Sequence, residues 1–177
     1  MKNKNWAQIV AAGDYQKLPV GWYVLKITNV EDVPKSEYLK VTWDVAEGEY
    51  AGHYAKDEAW RHTTNWSYTD KAEGIFKRNL DALEASNPNS FTTAVWQKES
   101  NEQEFVGLVF GAAIQDRHYT NNQGEDKTAL EVARVLAADK ARENAASGAE
   151  LPAPRDQRVK VEDAATASVY DDDVPFS

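Results

Sequence analysis

Short runs of alternating apolar and polar residues, the period of strands, occupy most of the chain up to residue 136. Val20 to Val30 is rich in β-branched and aromatic residues, follows Pro19 and ends at Glu31-Asp32, which predicts a first strand. Tyr38 to Val45 alternates, with Leu39, Val41, Trp43 and Val45 on one face and Tyr38, Lys40, Thr42 and Asp44 on the other. The first face predicts core and the second meets water or a ligand. Glycines punctuate a turn over residues 47–52, and His53 to Arg61 reads as a third extended segment. Helical period follows: Asp70 as cap with Glu73 three residues on, then Ala72, Ile75, Phe76, Leu80 and Leu83 on one face, stopped by Asn87-Pro88. Past a less regular stretch, Phe105 to Ile114 and Thr128 to Leu136 predict a hairpin around Asn121-Asn122-Gln123-Gly124.

Three strands, one helix and two strands predict a mainly β domain. The expectation is a five-stranded OB-fold barrel with one helix between strands 3 and 4, an order that a small α+β sheet also shares. From Ala137 the texture changes to an Ala-, Pro- and charge-rich sequence without apolar period. The predicted division is an N-terminal extension over 1–17, the OB-fold domain over 18–138, and a disordered linker with an acidic tail over 139–177.

Composition narrows the chemistry. The 177 residues include six Trp, eight Tyr and five Phe, a supply of flat stacking surfaces, and no Cys, which excludes disulfides, thiolate metal sites and thiol nucleophiles. The start carries no apolar signal core and no 18 apolar residues run together, so neither export nor membrane spanning is expected, and the cytoplasm, of the host if the protein is viral, is the expected compartment. Net charge is -9, which opposes charge-driven nucleic-acid binding; it divides into 15 - 20 = -5 over residues 1–138 and 5 - 9 = -4 over 139–177. From Val161 onward there are five acidic residues and no basic one.

Catalytic constellations are thin, and neither a catalytic residue nor a cofactor nor a metal ligand is expected. His53, His62 and His118 lack a partner at helical zinc spacing and read as surface or strand residues, and no phosphate-binding or nucleophile-elbow motif occurs. Asp44 and Asp57-Glu58 read as solvated strand positions. Several aromatics lie within a few residues of a cation: Tyr38 with Lys40, Trp60 with Arg61 and Trp66, and Tyr119 with Arg117 and Lys127. Rings that stack bases beside cations that follow phosphates are what a sequence-tolerant single-strand binder requires, so these eight are the candidate DNA contacts. Trp43 is expected in the core, as is one of Trp22 and Tyr23.

The terminus Asp171-Asp172-Asp173-Val174-Pro175-Phe176 resembles the acidic tip of bacterial and phage single-stranded-DNA-binding proteins, with Ser177 added where that family ends on Phe. Gly21-Trp22-Tyr23, Tyr38-Leu39-Lys40-Val41-Thr42-Trp43 and Gly48-Glu49-Tyr50-Ala51-Gly52 resemble the strand and turn motifs of a phage-encoded group of OB-like proteins. The resemblance implies a non-enzymatic protein of DNA replication, recombination or repair. Its partners would be single-stranded DNA and, through Asp171 to Phe176, replication or recombination proteins, with oligomerisation compensating for few cations. Two other readings stay open: an OB-like protein-interaction adaptor without DNA binding, and a metal-dependent nuclease built from scattered carboxylates.

Overall fold

A computed structural model describes residues 3–8 and 16–159. The strands are β1 (Gly21–Val33), β2 (Tyr38–Val45), β3 (Thr63–Ser67), β4 (Val109–Thr120), β5 (Asp126–Leu136) and β6 (Arg155–Gln157); the helices are α1 (Glu73–Ser86), α2 (Thr93–Trp96) and α3 (Ala138–Ser147). One sheet runs in the order β3-β2-β1-β4-β5, antiparallel throughout, and β6 pairs parallel with β4. No ladder joins β3 to β5 among the described residues, so the sheet is open and not a closed barrel.

The core lies on one face. Leu39, Val41, Trp43 and Val45 of β2 are buried as their alternation requires. Leu25 and Ile27 of β1 and Phe110, Ala112 and Ile114 of β4 join them, and β1 carries a bulge between Ile27 and Asn29. The extra residue reverses the parity of β1, which keeps Val30 inside after Leu25 and Ile27. Helix α1 packs against β4 and β5, and the Asn87 amide closes it: it donates to the Leu83 and Val109 carbonyls and accepts from the Val109 N–H, all within 3.0 Å. A side-chain amide thus behaves as one more backbone unit at the start of β4.

Four expectations are corrected. Residues 53–58 form turns and Ala59–His62 a 3-10 helix, so the third strand begins only at Thr63. The cause is Asp44, whose carboxylate accepts from the Val45 and Tyr54 N–H groups at 2.8 and 2.9 Å and folds the chain back. At α1, Ala72 occupies the cap position without a side-chain cap bond, and Ile75 points outward at 58% exposure. His62 is buried, its ring stacked on Tyr54 at 4.8 Å and its Nδ1 hydrogen-bonded to the Trp43 carbonyl.

The expected linker is folded as far as Val159. Helix α3 lies across the outer face of β1 and β4 with Ala138 and Ala141 buried, and the chain then returns along β4 as β6. Gly111 makes the approach possible: a Cβ there would stand 2.5 Å from the Ala137 carbonyl oxygen and 2.8 Å from the Ala141 methyl. Ser86 Oγ accepts from the Ala138 N–H, the Trp22 indole donates to the Ala149 carbonyl, and Gln115 donates to the Pro152 carbonyl. Asp171, Asp172, Asp173, Val174, Pro175 and Phe176 lie outside the described residues.

Candidate nucleic-acid interface

Three clusters result from the eight candidate residues. On β2, Tyr38 and Lys40 share the face turned from the core and are half-buried; Ser67 and Asn65 of β3 stand opposite them, and Glu31 of β1 faces Lys40. A carboxylate in register with the only cation on this patch of β2 tempers its attraction for phosphate.

Trp60 and Arg61 stand in the 3-10 helix before β3. Trp60 is 68% exposed, with the Arg61 guanidinium 4.6 Å from its ring centroid. The short helix forces this exposure, because His62 takes the inward position against Trp43 and Tyr54 and leaves the indole two residues earlier outside. One face of the indole meets a cation, and the ring is open to solvent for a further flat partner.

The third cluster lies near the β4–β5 tip. Arg117 and Tyr119 alternate on β4 with the guanidinium 4.6 Å from the phenol centroid, and Lys127 of β5 is the cross-strand partner of Tyr119. Register adds two residues that the sequence did not single out: Arg155 and Gln157 of β6 sit opposite Arg117 and Tyr119 on the same face. Gln157 accepts from Arg117 at 3.2 Å, while Arg155 is paired with Glu131 at 2.6 Å and Lys127 with Glu125 at 3.2 Å. No pattern in a three-residue polar strand announces such pairing. On the opposite face Asp156 is held well below the usual carboxylate range by the side chain and backbone N–H of Arg158.

Trp66 is not available. It is 3% exposed, 5.5 Å from Phe110 and 6.3 Å from Phe105, because β3 places it opposite Leu39 on the core face of the sheet. A buried ring cannot stack a base. Trp43 is in the core as expected; Trp22 and Tyr23 are each half-buried, and of the two it is Tyr23 that packs against the core. Among the described residues no group of three or more His, Asp or Glu side chains is arranged to hold a metal ion, and no helix is long and apolar enough to cross a membrane. The sequence matches no protein-family model and no curated protein.

Proposed function

We propose that the protein binds single-stranded DNA without strong sequence preference, in replication or recombination, and recruits partner proteins through Asp171 to Phe176. The observation that carries the reading is Trp60, a large ring held mostly in solvent beside the Arg61 guanidinium, with a second ring–guanidinium pair at Arg117 and Tyr119. An indole kept outside the core leaves apolar area in water, so a flat partner would recover that area. The strand order β3-β2-β1-β4-β5 with α1 between β3 and β4 agrees with an OB barrel opened along the β3–β5 seam, the fold in which the β2–β3 face and the loop between β4 and β5 commonly hold single strands. Trp60 borders the first of these and Tyr119 the second.

Titration of the full chain with oligo-dT, followed by tryptophan fluorescence, tests this. Quenching is expected in the wild type, and Trp60→Ala should weaken binding by roughly 5- to 100-fold, the range of one lost ring–base stack. Absence of quenching at low salt overturns the reading and leaves the adaptor alternative, in which the same terminal anchor acts without DNA.

A further inference from the structure

Away from these clusters, a pocket of about 210 Å³ opens between the start of β1, the β2–β3 connection and α3. Trp22, Tyr23 and Tyr50 supply its aromatic wall, with Tyr50 set edge-on to Tyr23 at 6.3 Å, and Ala141 and Ala145 form its floor on α3. Its rim is ionic. Arg142 is gripped by Glu47 at 2.7 and 3.1 Å and also bridges to Asp139, whereas Glu49 has neither a cation nor a hydrogen-bond partner among the described residues. The lining carboxylates Glu47 and Glu49 against the one guanidinium of Arg142 leave the rim at 1 - 2 = -1. A phosphate would be repelled here, so the pocket does not extend the proposed DNA path.

We infer that this pocket receives an arginine side chain presented by a partner protein, its guanidinium lying against the Tyr50 and Tyr23 rings and paired with Glu49. The flat guanidinium suits an aromatic wall better than a compact ammonium does, and it is less strongly hydrated, which favours a half-buried seat. Arg142 already shows a guanidinium accommodated at the same rim between two carboxylates. Burial, the largest cause, pushes the Tyr23 phenol up to about 12 together with Tyr50 and Glu49, and only the Glu49 contribution has the sign that favours an incoming cation.

The test uses the full ¹⁵N-labelled chain and watches the Trp22 indole N–H and the Gly48 amide during titration with acetyl-Gly-Arg-Gly-amide. Saturable shifts are expected, at least fivefold weaker for the citrulline peptide, whose side chain is a neutral isostere, because the pairing with Glu49 is charge-assisted. Glu49→Lys, on an exposed turn residue that makes no hydrogen bond or ion pair among the described residues, should abolish them while leaving the remaining spectrum in place. Equal binding of arginine and citrulline peptides, or no binding, overturns the inference. So does putrescine binding as tightly as the arginine peptide, which would assign the pocket to free amines, or oligo-dT shifting the same two signals.

Discussion

Trp60 and Trp66 stand six positions apart in the same polar stretch, and the fold gives them opposite fates. Local hydropathy cannot separate them; strand register does, by setting Trp66 opposite Leu39 on the core side. Trp66→Ala should therefore destabilise the domain by about 3–5 kcal/mol, and Trp60→Ala by no more than about 0.5 kcal/mol, in urea denaturation. Any loss of DNA binding by the Trp60 variant then reports on the interface and not on folding. Tyr23 offers a second residue-level check. Its hydroxyl donates to the Pro19 carbonyl at 2.6 Å and its pKa is raised from 10.0 to about 12. A phenol whose folded pKa is raised stabilises the fold fully below pH 10 and ceases to do so as pH rises through about 12. Titration by phenolate absorbance should show one late-ionising tyrosine fewer in Tyr23→Phe, and that variant should lose less stability than wild type between pH 10 and 12. Tyr68, hydrogen-bonded to Asp32 and also raised to about 12, remains in both as an internal comparison.

Among the elements, β2 is the one whose bounds and buried Leu39, Val41, Trp43 and Val45 follow directly from a two-residue period over eight residues, although Thr42, expected on the face toward water or a ligand, is buried as well. The third strand begins later than its residue types suggest because the bond pattern of Asp44, a single side chain, turns residues 45–54 back on themselves. Helix α3 leaves no hydropathy pattern for a different reason. Its buried face is made of alanines meeting Gly111, so its stability rests on close approach of backbones, which a reading weighted by large apolar side chains does not register. Gly111→Ala should push α3 off the sheet, costing about 1–3 kcal/mol and raising amide exchange through residues 138–147, measured by denaturation and hydrogen exchange. A chain ended after Ala137 should be less stable than one ended after Val159 by about 3 kcal/mol or more, the scale of uncovering large apolar groups such as Val24 and Trp22.

For the molecule as a whole, the acidic balance is less adverse at the candidate interface than the total suggests, but it is not absent. Lys127 and Arg155 are each engaged by a glutamate, and Lys40 faces Glu31. Few phosphates can then be neutralised per protomer. The logarithm of oligo-dT affinity should fall with the logarithm of salt concentration with a slope of about -1 to -2, given roughly -0.7 per phosphate contacted. A slope of zero would leave stacking without phosphate contacts, and a much steeper one would require cations beyond these clusters. The aromatic–cation neighbours were legible along the chain, though not the burial of Trp66; β6 and the pocket between β1 and α3 were not, since both arise from segments brought together only by the fold. The central place of β1 also bears on how the protein is made. Its β2 edge is satisfied within a few residues of the next turn, but its other edge, Gly21 to Lys26, waits for Val109 to Ile114, 83 to 93 residues later. At a synthesis rate of about 5–20 residues per second that edge stays open on the ribosome for roughly 5–20 s, so the nascent chain passes through a stage with a long, apolar, unpaired strand at its middle.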